Sequence, residues 1–250
     1  MGNAYYFFSD VHLGLESEEK EKLKETKLIQ FLDEIKSDAR EIFIVGDLFD
    51  CWIEYKRAVP KGFYRLFTKI SEITESGIKI NYIAGNHDFW KGDYFKKEFG
   101  IEICHTHIER EIESKKFFIH HGDGFAYNDT GYRILKMILR NRLSQKLYSL
   151  IHPDIGIRLA KGTSETSRKY TEEKDYSKSD GLRESAFKKI SEGFDYVIMG
   201  HRHIPQMTPF ENGFYINLGD WIDYFTFGVF KNGCFELKAF NDHKNSITQQ

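Results

Sequence analysis

Residues 41–47 read EIFIVGD, an apolar run rich in Ile, Phe and Val that ends in glycine and then a carboxylate. The run Glu41–Gly46 has the length and composition of a buried strand, and Asp47 sits at its carboxyl end. The same pattern recurs on either side. Upstream, Ala4–Ser9 is a second strand that runs into Asp10 and His12. Downstream, Ile78–Ala84 is a third, running into Asn86, His87 and Asp88. Between them, Glu18–Ser37 places Leu23, Leu28, Phe31, Leu32 and Ile35 near helical spacing, and Gly62–Glu75 does so with Phe63, Leu66, Phe67, Ile70 and Ile73. Strands alternating with helices predict parallel sheet built from βαβ units. Further on, Ile101–Cys104, Lys116–His120, Tyr196–Met199, Phe214–Asn217, Phe225–Phe230 and Cys234–Ala239 read as strands, whereas 130–190 reads as helix. The expectation is an α/β sandwich forming one domain over 1–240, a helical cap inserted at 125–192, and a polar tail at 241–250.

Five strand ends carry the polar chemistry. They are Ser9-Asp10-Val11-His12, Gly46-Asp47, Gly85-Asn86-His87-Asp88, His120-His121-Gly122-Asp123 and Gly200-His201-Arg202-His203. In an open α/β sheet, ligands bind just beyond the carboxyl ends of the strands. Carboxylate, imidazole and amide oxygen without thiolate suit a pair of divalent cations such as Mn²⁺, Fe²⁺ or Zn²⁺. A two-metal site needs a shared ligand, and Asp47 is the natural one because its strand is expected between the others. Glycine before the ligand is expected to let the backbone bend while presenting the next side chain.

D-x-H, G-D, G-N-H-D, H-G-D and G-H-x-H, in that order, resemble the motifs of the calcineurin-like metallophosphoesterases, over about residues 4–240. The resemblance implies two mixed β-sheets flanked by helices around a dinuclear metal centre. It implies Asp10, His12, Asp47 and His203 as ligands of one metal, and Asp47, Asn86, His121 and His201 as ligands of the other. It places His87 beside the leaving group, with Asp88 orienting it. Two cations would acidify a water for in-line attack and, with His87, neutralise charge on the phosphorus oxygens.

Within that superfamily the chain looks most like the UDP-2,3-diacylglucosamine diphosphatases of lipid A synthesis. Gly46-Asp47-Leu48-Phe49-Asp50-Cys51-Trp52-Ile53, His121-Gly122-Asp123 followed by Asn128-Asp129 and Tyr132, and Gly219-Asp220-Trp221 carry this likeness, as does the long insertion. The best-known members have arginine where this chain has His87. The likeness implies a pyrophosphate hydrolase acting on a lipid-linked sugar nucleotide. Asn86, His87, Asp129 and Tyr132 are its candidate substrate contacts, joined by Arg158 and Arg168 from the basic insertion. The alternative is a phosphoesterase on the same scaffold acting on another nucleotide, sugar nucleotide or phosphodiester.

Composition bounds these readings. The chain has 250 residues and 40% hydrophobic content, enough for a large core and too apolar for disorder. Its net charge of −2 hides an asymmetry: residues 131–190 hold 14 Lys/Arg against 7 Asp/Glu, so the remainder carries −9. Residues 131–161 interleave seven basic residues and one acidic with Ile134, Leu135, Ile138, Leu139, Leu143, Leu147, Leu150 and Ile151. Such text suits an anionic amphiphile or an anionic membrane surface. It argues against a nucleic-acid partner, whose charge would line an extended groove. No spanning or secretory segment is expected, and three separated cysteines (Cys51, Cys104, Cys234) fit a reducing compartment. The expected location is cytoplasmic, peripheral on the inner membrane.

Overall fold

The computed structural model describes residues 2–125, 137–138, 140–160, 162 and 181–240. The first sheet holds β1 (Ala4–Phe8), β2 (Ala39–Val45), β3 (Lys79–Ile83), β4 (Ile103–Cys104), β10 (Thr226–Lys231) and β11 (Cys234–Ala239) in the order β11-β10-β1-β2-β3-β4. Strands β1 to β4 are parallel, and β10 joins β1 antiparallel. The second sheet orders β5 (His107–Ile112), β6 (Lys115–His120), β7 (Tyr196–Met199), β8 (Gln206–Phe210) and β9 (Gly213–Asn217) as β5-β6-β7-β9-β8, with β6, β7 and β9 parallel. Both sheets are therefore mixed, and helices flank them: α1 (Glu18–Ile35), α2 (Tyr64–Glu75), α3 (Tyr94–Phe99), α4 (Arg142–Tyr148) and α5 (Gly181–Ser191).

The apolar runs are continuous because the central strands are buried on both faces. Tyr5, Phe7, Phe43, Val45 and Ile83 point between the sheets, against Phe117, Ile119, Tyr196 and Ile198. Their neighbours Tyr6, Phe8, Ile42, Ile44 and Tyr82 point the other way, against Leu28, Phe31, Leu32, Leu66 and Ile70 of α1 and α2. The period-2 alternation thus divides hydrophobes between two cores. A third cluster seats Leu182, Ala186 and Ile190 of α5 on Phe118, Val197, Met199 and Tyr215.

Three details depart from the sequence reading. Strand β5 is unexpected, because its sequence HIEREI carries charges where a core strand carries hydrophobes. So is β8, whose Pro209 argues against a strand; it is tolerated because β8 is an edge paired only to β9. The 125–192 stretch also divides: α5 is part of the layer that covers the second sheet, since its apolar face is buried against β7 and β9. The polar tail at 241–250 lies outside the described residues.

Candidate metal centre

Every residue of the five motifs sits at the carboxyl end of a strand. β1 delivers Asp10 and His12, β2 delivers Asp47, and β3 delivers Asn86 and His87; from the second sheet β6 delivers His121, and β7 delivers His201 and His203. β2 lies between β1 and β3, so Asp47 is central. The loops are knitted together by backbone bonds, Asp10 N–H to Gly46 O at 3.1 Å and His12 N–H to Asp47 O at 3.0 Å among them. This support is needed. Asp10, His12, Asp47, His201 and His203 all have positive φ, between 47° and 69°. Such a conformation costs a non-glycine residue about 1–2 kcal/mol, and residues held there cluster at functional sites.

The glycines before these residues work differently from the sequence expectation. Only Gly46 combines a left-handed φ of 86° with close approach, since the His121 ring packs against it. Gly85 and Gly200 lack positive φ, and their role is space. A Cβ on Gly85 would collide with the Asp47 carboxylate, and one on Gly200 with that of Asp10. Each is a floor on which another strand's ligand rests.

The side chains form two pockets that share one oxygen, and His87 makes a third, overlapping group with His12 and Asp47. In the first, Asp10 Oδ1 lies 3.4 Å from His203 Nε2 and 3.8 Å from His12 Nε2, which is 3.7 Å from Asp47 Oδ2. In the second, the same Asp47 Oδ2 lies 3.2 Å from His121 Nε2, which is 3.1 Å from Asn86 Oδ1, and His201 completes the group. Donors on one cation, each about 2.0–2.2 Å from it, sit about 3 Å apart, so these spacings approach a coordination shell. Asp10 Oδ1 and both ring nitrogens of His12 are buried with no hydrogen-bond partner. Buried polar atoms are rarely left so; a cation between Asp10 Oδ1 and His12 Nε2 accounts for those two, while His12 Nδ1 faces Asp50 Oδ1 at 3.6 Å. The residues therefore fit a divalent pair, with Asp47 shared.

The charge balance points the same way. Burial favours the neutral form of Asp10, yet His203 and His12 outweigh it and hold the carboxyl at about 2. Asp47 is likewise held well below the carboxylate range, against burial, by His121, His87 and His12. Burial alone would lower His12 and His121, but the surrounding carboxylates push them up to about 9 and about 10. The buried carboxylates thus favour positive charge in their midst. Burial lowers His201 and His87 to about 4.

A ring of further contacts orients these groups. His121 Nδ1 donates to Val45 O at 2.9 Å, Lys24 Nζ donates to His12 O at 2.8 Å, and Asp220 Oδ2 lies 3.4 Å from His203 Nδ1. Asp50 faces two rings: its Oδ1 is 3.6 Å from His12 Nδ1, and its carbonyl accepts from His87 Nδ1 at 3.1 Å. The expectation that Asp88 orients the His87 ring is corrected here. The Asp88 carboxylate accepts from Gly85 N–H at 2.6 Å, Leu48 N–H at 2.8 Å and the Tyr82 hydroxyl. It ties the 85–88 turn to the loop after β2, and burial with the nearby Asp47 charge raises it to about 6. Sequence reasoning gives Asp50 and Asp220 no role beyond their places in family-like motifs; their position shortly beyond a strand end is the signal that could have found them.

The described part of the inserted segment is helical at 142–148 and 153–160. It rests on the loop after β3: Tyr148 packs edge-on against Trp90 at 5.7 Å, and Gln145 Oε1 accepts from Lys91 N–H at 3.3 Å. A cleft of about 640 Å³ runs beside this junction, lined by Trp90, Lys91, Phe95, His105, Gln145 and Lys146, and no residue of the metal pockets lines it. Arg158 is exposed on the second helical stretch. Asp129, Tyr132 and Arg168 lie outside the described residues. Met137, Ile138, Leu143, Leu147, Leu150, Ile155 and Leu159 are all at least half exposed.

Comparison with known proteins identifies the lineage. The family model for calcineurin-like phosphoesterases matches residues 5–205, and the chain belongs to that family. The UDP-2,3-diacylglucosamine hydrolase of Porphyromonas gingivalis is 33% identical over 97% of this chain and 99% of its own length. The enzyme of the same name from Haemophilus ducreyi is 28% identical, covering 87% of this chain and 91% of its own. Among solved structures, the E. coli phosphoesterase Yfce aligns over 99% of this chain and 98% of its own with a TM-score of 0.51 and 16% identity, a likeness of fold.

Proposed function

We propose that this metallophosphoesterase hydrolyses the pyrophosphate bond of UDP-2,3-diacylglucosamine, releasing UMP and 2,3-diacylglucosamine 1-phosphate. The observation that carries this is the pair of Asp/His pockets sharing Asp47 Oδ2 in a chain whose inserted segment exposes its aliphatic side chains. Relatives of matching length bear the name of that activity.

Asp10, His12, Asp47 and His203 would hold one cation, and Asp47, Asn86, His121 and His201 the other, with Mn²⁺ as the working ion. When bound, the pair supplies Lewis acidity toward the phosphorus oxygens and a water of lowered pKa. The chain's own groups do the rest. His87 Nδ1 donates to the Asp50 carbonyl, which leaves Nε2 as the ring atom for the leaving group; Nε2 would donate there only in the imidazolium form, which the charge developing on the leaving oxygen favours and burial opposes. The buried loops exclude bulk water from the Asp10 and Asp47 carboxylates, which strengthens their hold on positive charge. Asn86, Asp129, Tyr132, Arg158 and Arg168 are substrate contacts in this reading.

The exposed leucines and isoleucines of 137–159, with Lys146 and Arg158 among them, suit acyl chains and an anionic leaflet. No helix among the described residues is long and apolar enough to cross a membrane. The protein is read as a single catalytic domain with a cap, peripheral on the cytoplasmic side of the inner membrane. A substrate panel with Mn²⁺ tests the assignment: UDP-2,3-diacylglucosamine, UDP-N-acetylglucosamine and bis(p-nitrophenyl) phosphate, followed by release of UMP or nitrophenol. The expected result is preference for the lipid by at least about 100-fold in kcat/KM, the scale expected when a truncated substrate forgoes several binding interactions. Turnover of the simple diester without turnover of the lipid overturns it.

A further inference from the structure

Arg140 lies in the inserted segment, among the basic residues that read as a substrate-facing or membrane-facing surface. Its side chain goes inward instead and is 14% exposed. Nη2 donates to Gly85 O at 2.8 Å and to Asp123 Oδ2 at 3.1 Å, and Nη1 donates to His105 O at 3.1 Å. The guanidinium also lies 5.9 Å from the centre of the Phe89 ring.

Those partners are specific to one half of the metal centre. Gly85 O belongs to the peptide that leads into Asn86, and Asp123 follows His121 by two residues. Asn86 Oδ1 and His121 Nε2 are 3.1 Å apart, one carried by β3 of the first sheet and the other by β6 of the second. Arg140 spans the two sheets behind that pair. The Gly85 residue is then held on three sides: its N–H by Asp88, its carbonyl by Arg140, and its open face by Asp47. Asp123, whose side chain is 2% exposed, receives a charge partner from the same guanidinium. Asp10, His12 and His203 take their partners elsewhere, from one another, Asp47, Asp50, Asp220 and the His201 N–H.

We infer that Arg140 is a positioning residue through which the inserted segment sets the geometry of the Asn86/His121/His201 pocket, its hydrogen bonds reaching none of Asp10, His12 and His203. This rests on the two-cation reading above. A guanidinium suits the task because its planar fork meets two carbonyls and a carboxylate at once, which an ammonium cannot do. Loss of such an outer partner weakens a metal site about 10–100-fold.

The test is Mn²⁺ binding by calorimetry, with EPR to distinguish a coupled pair from a lone ion. Wild type, R140M, R140K, N86A and H203A are compared. Wild type is expected to bind two ions. R140M should keep one ion within about twofold and bind the other about 10–100-fold more weakly, losing the coupled EPR signal at limiting Mn²⁺ and keeping, as N86A does, the lone-ion signal of the Asp10/His12/His203 pocket rather than that left in H203A. R140K should fall between wild type and R140M, and excess Mn²⁺ should restore kcat in R140M with KM for substrate unchanged. Equal weakening of both ions, or unchanged metal affinity with a raised KM, overturns the inference. If R140M fails to melt cooperatively, R140K decides, and wild-type affinity for both ions in that variant overturns the inference as well. Wild type that binds fewer than two ions refutes the metal reading itself.

Discussion

The rim of the sandwich and the inserted segment are built on opposite principles. At the rim, Asp10, His12 and His121 are fully buried, the backbones of Asp10, His12 and Asp47 are held in left-handed conformations by neighbouring loops, and glycines 46, 85 and 200 leave no spare space around them. In the inserted segment, Leu150 is 80% exposed, Met137 66% and Leu143 65%, and attachment to the body includes contacts at Trp90, Lys91, Gly85, Phe89, His105 and Asp123 and the packing of Tyr148 and Ala160 on the first core. Dense mutual constraint positions charges to fractions of an ångström, which suits two cations and an in-line displacement. Sparse attachment with exposed aliphatic side chains suits a large, variable, amphiphilic ligand. In the proposed reading, the chemistry and the selectivity of this enzyme are separated accordingly.

The largest effect expected from breaking this contrast is at Asp47. Its Oδ2 belongs to both pockets, so Asp47→Ala should lower turnover by at least about 10³-fold on any substrate, the scale of losing a preorganised charge-stabilising group. It should also reduce Mn²⁺ stoichiometry below two. Retained turnover with either the lipid or a simple diester would remove the shared-ligand assignment.

A smaller effect concerns the charge that the rim holds without metal. His12 and His121 rise in the fold from an ordinary 6.5 to about 9 and about 10. A raised folded value means that their contribution to stability is complete below about pH 6.5 and is lost as pH climbs through about 9 to 10. Chelator-treated protein should therefore melt progressively lower between pH 6.5 and 10. Mn²⁺-loaded protein should keep its midpoint over most of that range, because the cations replace the two protons. Parallel alkaline slopes with and without Mn²⁺ would show that the imidazoles are not where the cations bind.

The smallest effect on the fold, and a selective one on function, is expected from the inserted segment. Leu147→Glu with Leu150→Glu alters side chains that are 59% and 80% exposed, so stability should stay within about 0.5 kcal/mol. Flotation with vesicles of phosphatidylglycerol and phosphatidylcholine should fall. On the lipid substrate kcat/KM should drop about tenfold, which corresponds to about 1.4 kcal/mol and to the burial of about two methylene groups against an acyl chain. Hydrolysis of bis(p-nitrophenyl) phosphate should be unchanged. A large fall in melting temperature would mean that these leucines pack on the body after all.

What the sequence makes legible is what is local. An apolar strand and the Asp, His or Asn that follows it are contiguous, so Asp10, Asp47, His87, His121 and His203 are readable as strand-end residues, and β2 between β1 and β3 follows from the alternation of strands and helices. Strands without that signature are not readable: the charged β5 and the Pro209-containing β8 owe their pairing to an edge position in a sheet that only the assembled fold defines. The direction in which 137–159 presents its leucines is equally hidden, because periodicity gives the existence of an apolar face and not what, if anything, covers it.

The sequence by itself determined the donor types, their order and the strand on which each rides, because β-strand propensity and the loop after it are written within about ten consecutive residues. Tertiary structure decided the rest. That Asp50 rather than Asp88 meets the His87 ring, that Gly85 and Gly200 are floors for carboxylates, and that one arginine of a basic insertion turns inward are all contacts between distant segments. His201 N–H meets Asp10 across 191 positions, Arg140 meets Gly85 across 55, and Leu48 N–H meets Asp88 across 40. Hydrogen bonds and Coulomb forces act through space, and no local periodicity encodes which distant partner the fold will bring within about 3 Å.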